Sequence, residues 1–149
     1  MSVVGESVIK VPKFGFRLEI DEIGDLNLES CGELSEEMDI IEDHEGGRQT
    51  LADHSPGKFS VKEMSCVRVL DLNDTRIRDW WENLKAGNQD KRNGTFFWTK
   101  ASEDVAKMEI REMLLKAYSG GSGDAKSKDE NQKETFTLKP RLFGVPKLL

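Results

Sequence analysis

Between Glu36 and His54 the chain gathers the residues that most resemble a chemical centre. Glu36, Glu37, Asp39, Glu42, Asp43 and Glu45 surround His44, and oxygen-rich sets of this kind bind hard divalent cations. Their spacing matches no calcium loop, and Gly46-Gly47 lacks the Lys-Ser/Thr pair that a phosphate cradle requires. His44 and His54 offer imidazoles as general bases, with Ser55 and Cys66 as nucleophiles. Catalysis, however, needs a base oriented by a third group, and the sequence contains no such constellation. A solvated acidic strand edge and loop is the simpler reading, so no enzyme activity, metal or cofactor is expected. Cys31 and Cys66 lie far apart, without CxxC or Cys/His spacing. They suggest neither a zinc site nor a disulfide framework and read as reduced thiols.

The elements that would position these residues are mostly extended. In KFGFRLEIDEIG, Phe14, Phe16, Leu18 and Ile20 occupy every second position, the period of a half-buried strand. A turn is expected at Gly24-Asp25, after which Leu26 and Leu28 continue the alternation. Met38, Ile40 and Ile41 mark another short extended stretch. Residues 43–57, DHEGGRQTLADHSPG, hold three glycines and a proline with almost no apolar residues, which predicts a long exposed loop. Loops of that length usually serve a partner or ligand. Asp43, His44, Glu45, Gly46, Gly47, Arg48, Gln49, Asp53 and His54 are its candidate contact residues.

Strand character resumes at Phe59 and Val61, and again at Val67, Val69 and Leu70. Asn73 or Asp74 is placed to cap a helix over about 74–86, in which Ile77, Trp80, Trp81 and Leu84 recur at helical spacing until Gly87. Trp80 and Trp81 carry no basic stripe beside them, which argues for packing over base stacking. In TFFWTK, Phe96 and Trp98 share one strand face and Phe97 takes the other. The segment EDVAKMEIREMLLKAY reads two ways. Its composition and the stripe Ala106, Ile110, Met113, Ala117 favour a helix. Alternation through Ala106, Met108, Ile110 and Leu114, interrupted at Glu112, is the weaker strand signal. SGGSGDAKSKDENQK is a polar loop by composition, and Thr135 to Leu138 form a last strand ending at Pro140.

The 149 residues fit one domain, read as 1–149 with 1–11 as an N-terminal arm. Only 36% of residues are hydrophobic and 34% are charged, which suits a thin sheet-based core better than a doubly wound one. A net charge of −6 disfavours stable binding to nucleic acid or anionic lipid. No stretch approaches the about 20 apolar residues of a membrane span, and the start carries no signal-like pattern. Synthesis in the cytoplasm is expected.

The order of these pieces resembles the tail-tube protein family of contractile-tailed phages and phage-like injection systems. Four stretches carry the resemblance. KFGFRLEIDEIG with LNLESCGELSEEMDIIEDHEGG is similar to the family's opening strand, glycine-leucine turn, acidic strand and glycine-bearing loop, although Glu33 separates Gly32 from Leu34. The strand pair from Phe59 to Leu72 leads into a helix bearing Trp80 and Trp81. TFFWTKASEDVAKMEIREMLLKAY resembles the family's hairpin, turning at ASED and ending in the alanine-aromatic pair Ala117-Tyr118. GDAKSKDENQKETFTLKPRLF is similar to the closing loop and final strand.

The resemblance implies a mainly β fold, a sandwich or barrel-like core with one flanking helix, and resolves 105–118 as a strand. It also implies six copies per ring and stacked rings whose inner sheets join into a continuous barrel, a structure that leaves no free sheet edge. Obligate interfaces of this kind bury about 2,000–5,000 Å². The 43–57 loop then reaches a neighbouring subunit or ring, and Phe14, Phe16, Trp80, Trp81, Phe96 and Trp98 serve as core or interface aromatics. The implied partners are further copies of the chain, a tail sheath subunit, and baseplate and tail-terminator proteins. DNA or protein cargo would pass without stable binding, in a virion tail or injection particle made in a bacterial host. Two alternatives stand beside this one: a tube-initiator or baseplate subunit of the same fold, and an unrelated β-rich binding domain using the 43–57 loop.

Overall fold

The computed structural model describes residues 15–26, 28–43, 53–121 and 131–149. Phe14 and the expected arm 1–11 lie outside the described residues.

Strand β1 (Phe16–Ile20) turns through Asp21–Ile23 into β2 (Gly24–Leu26) and pairs on its other side with β7 (Arg92–Lys100). The turn therefore precedes Gly24, earlier than the expected Gly24-Asp25. Glu22 and Gly24 carry its positive φ angles of 68° and 86°, and Gly24 already opens β2, where its lack of a Cβ makes that φ inexpensive. Leu18 and Ile20 are fully buried, as the period of two requires. On the opposite face Arg17 donates from Nε and Nη2 to the two Asp104 carboxylate oxygens, at 3.1 and 2.7 Å, and its guanidinium lies 3.9 Å from the Phe97 ring centre.

The hairpin from β7 to β8 (Glu103–Ser119) closes through Ala101 and Ser102, both in the left-handed region at φ 52° and 67°. Two successive positive φ angles give a turn whose twist matches that of the flanking strands. The 105–118 segment is thus a strand, as the resemblance implies, and its helical composition is overridden by pairing on both sides. β8 runs 17 residues. Its buried positions are Ala106, Met108 and Ile110, then Met113 and Leu115, a change of phase across Glu112. There the register slips against β7 between Arg92 and Gly94, Glu112 takes φ 48°, and its N–H donates to Asn93 Oδ1 at 2.9 Å. This bulge bends the strand. The first half of β8 pairs with β7, and the second half with β9 (Lys133–Lys139).

Beyond β9 the sheet continues through β6 (Met64–Val69) to β3 (Ser30–Cys31). Two short strands, β10 (Leu142–Phe143) and β11 (Lys147–Leu148), return along the first half of β8. The chain therefore keeps pairing past Pro140, which lacks only its own N–H. The bent β8 is shared by two sheet halves that enclose one core: Leu18, Ile20, Phe96 and Ile110 from one side, and Met64, Cys66, Phe136 and Leu138 from the other.

Helix α1 (Arg76–Lys85) covers this core with Ile77 and Trp80 fully buried. Its N-cap is Thr75, not Asn73 or Asp74. Asp74 nonetheless meets the helix start, its Oδ1 accepting the Arg76 backbone N–H at 3.3 Å, while its carboxylate also accepts from Arg76 Nη2 and from Arg68 Nη1, each at 2.7 Å. The Thr75 hydroxyl donates to the Asp79 carboxylate one turn on, at 2.9 Å, and caps no backbone N–H. Trp80 Nε1 donates to the Asp90 carbonyl at 2.8 Å, so the indole is buried without an unsatisfied donor.

Candidate functional site

Strands β4 (Glu36–Asp43) and β5 (Asp53–Val61) form a separate two-stranded hairpin. The expected loop over 43–57 is accordingly corrected at both ends, because Asp43 closes β4 and residues 53–57 belong to β5. Pro56 and Gly57 are accommodated where the register slips between Met38 and Ile40. Residues 57 and 58 face Asp39 alone, and Pro56 borders this bulge opposite Ile40 on a strand with one paired edge, a setting that tolerates a proline. Asp43 stands opposite Asp53, and Glu42 opposite His54, whose Nε2 lies 3.6 Å from Glu42 Oε1. His44, Glu45, Gly46, Gly47, Arg48 and Gln49 lie outside the described residues.

The hairpin carries an apolar face that its own fold leaves uncovered. Cross-strand partners share a face, so Val61 and Glu36, Phe59 and Met38, and Pro56 and Ile40 follow one another outwards. Val61 is buried at the base, whereas Phe59 is 43% exposed, Met38 49% and Ile40 60%. Ile41, on the other face, is 54% exposed. Among the described residues the base is bonded to the core: Phe143 N–H donates to Glu36 Oε1 at 2.8 Å, and Lys139 Nζ donates to Val61 O. A lone two-stranded hairpin is at best marginally stable in water, and an apolar stripe on one marks a surface awaiting a partner.

The aromatic candidates separate into three settings. Phe16 stacks on Phe96 with ring centres 5.5 Å apart, and Trp98 meets Phe96 edge-on at 5.2 Å. These three rings line an open crevice of about 720 Å³ together with residues 29–34, Met108 and Pro146. Trp80 belongs wholly to the core. Trp81 lies half-buried, its ring 6.3 Å from that of Tyr118. Among the described residues, no three His, Cys, Asp or Glu side chains converge as a metal site.

One feature was not legible in the sequence. Glu134 on β9 is fully buried and holds Arg68 of β6, itself 3% exposed, through Nε. Arg78 Nη1 and the Tyr118 hydroxyl donate to the other Glu134 oxygen, at 3.2 and 2.5 Å. Burial, and then the bond to Glu134, push the Tyr118 hydroxyl above its ordinary pKa. This network joins α1, β6, β8 and β9. Its signal in the sequence was slight, an arginine and a glutamate on alternating strands where surface charge is the ordinary reading. The placement of Arg68 inward also turns Val69 outward, where it is 40% exposed.

Two sheet halves sharing a bent strand, one covering helix and a projecting hairpin define a small β-rich fold built to leave edges and an apolar arm for other chains. The sequence matches the family described as T4-like virus tail tube protein gp19 over residues 12–141, and the chain belongs to that family. Its fold is similar to that of a protein in the sheath-tube complex of an extracellular contractile injection system in the extended state, termed PVC, with a TM-score of 0.83 at 17% identity, covering 99% of this chain and 96% of the other. It is also similar to the tube-terminating cap of the anti-feeding prophage, with a TM-score of 0.82 at 14% identity, covering 99% and 100%. Hcp1 from Flavobacterium johnsoniae matches less closely, with a TM-score of 0.54 at 15% identity, covering 91% and 100%. Comparison with curated proteins by sequence gives no match. Family membership displaces the reading of an unrelated binding domain.

Proposed function

We propose that this chain is the repeating subunit of the inner tube of a contractile tail or injection machine, working as a single domain, residues 1–149 with 1–11 as an arm, and without catalytic activity. Six copies close into a ring and rings stack into a conduit. The observation that carries this reading is the β4–β5 hairpin, whose exposed Met38, Ile40 and Phe59 have no cover within the described residues. Strands β2 and β3 end the main pairing order and offer further edges for neighbours, which ring closure would satisfy.

The hairpin and the segment it carries, from Asp43 through His54, reach a neighbouring subunit or ring. A sheath subunit surrounds the tube, and baseplate and terminator proteins bind its two ends, as the structures of similar fold suggest by the complexes they come from. The net charge of −6 suits a conduit for DNA or protein, since carboxylates facing the lumen repel phosphates and leave no counterion-releasing contacts to stall transit. The assembled location is a virion tail or injection particle.

A specialised end ring is the second reading, favoured by the near-equal likeness to a tube-terminating cap. Negative-stain electron microscopy of the untagged protein over a concentration series separates the two. Hollow tubes support the repeating subunit, and closed rings that never stack support the end ring. Persistent monomers at all concentrations would defeat both.

A further inference from the structure

The fold makes direct partners of Cys31 and Cys66, 35 residues apart in the chain. They face each other across the β3–β6 pair, and their sulfurs lie 2.8 Å apart. The kind of pair is set by its neighbours. Gly32 N–H donates to Ser65 O at 2.7 Å, which puts Gly32 and Ser65 at a hydrogen-bonded position and Cys31/Cys66 at the adjoining non-hydrogen-bonded one. In such pairs the Cα atoms approach to about 4.5 Å, inside the about 4.4–6.8 Å that a disulfide spans. No element has to move to join them.

The two thiols also differ in access. Cys66 is fully buried, while Cys31 is half-buried and lines the crevice beside Phe16, Phe96 and Trp98. Its contact with Cys31 and its burial both push the Cys66 thiol well above its ordinary pKa. An oxidant therefore meets Cys31 first, with Cys66 held behind it at reacting distance.

We infer that Cys31 and Cys66 are a cross-strand disulfide site, oxidised in the folded chain by a low-molecular-weight disulfide such as oxidised glutathione. Cys31 gives its proton to water, and its thiolate attacks one glutathione sulfur, forming a mixed disulfide and releasing one glutathione thiolate. Cys66 then loses its proton and attacks Cys31 Sγ, releasing the second glutathione thiolate. Two protein thiols are oxidised to one disulfide while one glutathione disulfide is reduced to two thiols. The loop so closed contains the whole β4–β5 hairpin. The bond would fasten two-residue β3, and with it the hairpin's base, to the more central β6. This inference rests on the strand pairing and does not depend on tube assembly.

The test uses the full chain, equilibrated with glutathione buffers from fully reduced to fully oxidised, then alkylated and examined by intact mass and non-reducing peptide mapping. The expected result is the loss of two hydrogens, a linked Cys31–Cys66 peptide, and a Tm raised by roughly 5–15 °C. In Cys31→Ala, oxidant should leave the Tm unmoved. Two alkylated thiols at every buffer ratio would overturn the proposal, as would a glutathione adduct that persists on Cys31 or a bond formed only between chains.

Discussion

The sheet halves around β8 and the β4–β5 hairpin are both antiparallel and both alternate apolar with polar residues, yet they use the pattern for opposite ends. Around β8 the apolar positions Ile110, Met113 and Leu115 turn inwards under α1, and even the charges Arg68 and Glu134 are buried and paired. On the hairpin the equivalent positions, Met38, Ile40 and Phe59, stay in solvent. The difference teaches that stability and assembly are assigned to separate parts of the chain. Substitutions in the first region should unfold the subunit, and those in the second should leave it folded but unable to associate.

The largest effects are expected in the buried network and core. Glu134→Ala removes the carboxylate that holds Arg68, Arg78 and Tyr118 together and leaves the buried Arg68 with Asp74 alone, a loss of up to about 3–5 kcal/mol. Trp80→Ala opens a cavity beneath α1 and should cost a similar about 3–5 kcal/mol. Urea unfolding followed by tryptophan fluorescence for the first, and by circular dichroism for the second, measures both. A change below about 1 kcal/mol for Glu134→Ala would mean that the network contributes little to the fold.

Acid should act next, and on the same region. The bonds from Arg76 and then Arg68 hold the Asp74 carboxyl well below its ordinary range, Arg92 lowers Asp90, and Arg17 lowers Asp104. A carboxylate whose pKa is lower folded than unfolded contributes stability that is present above the unfolded value of about 3.9 and is lost as pH falls from there towards the folded value. Thermal melts should therefore show no loss from these groups between pH 7 and about pH 5, and a decline below about pH 4. The Asp74→Asn variant should show a shallower decline over that same range.

A smaller gain is expected at the β7–β8 turn. Ala101 and Ser102 both hold positive φ, so Ala101→Asn with Ser102→Gly should raise stability by about 1 kcal/mol. An unchanged urea midpoint would show that the turn is not strained. Smallest of all is the hairpin: Ile40→Asp should change subunit stability by no more than about 0.5 kcal/mol. A larger loss would mean that the apolar stripe packs within its own chain, and the contrast between the two regions would dissolve.

Much of the fold was legible from local pattern. The alternation through Leu18 and Ile20, the helix around Ile77 and Trp80, and the shared face of Phe96 and Trp98 all follow from the period of apolar residues and a terminator such as Gly87. The β8 segment was ambiguous for a definable reason. A bulge at Glu112 inserts one residue, so the buried set Ala106, Ile110 and Met113 falls at spacings of four and three, which are those of a helix face. Composition alone could not separate a bulged strand from a helix, and the order of motifs along the chain did. Residues 53–57 have the local pattern of a loop because Pro56 and Gly57 are turn formers, and only a register slip reconciles them with a strand. Pairing between distant residues, as at Arg68 and Glu134 or Cys31 and Cys66, leaves no local trace.

The separation of roles is tested most directly by electron microscopy of an Ile40→Asp, Phe59→Ser double variant beside the wild-type chain, at matched concentration and with the Tm of each measured. Hollow tubes are expected from the wild type, and from the variant a folded subunit of nearly unchanged Tm that forms no tubes. Tubes from the variant as abundant as those of the wild type would contradict an assembly role for the hairpin stripe.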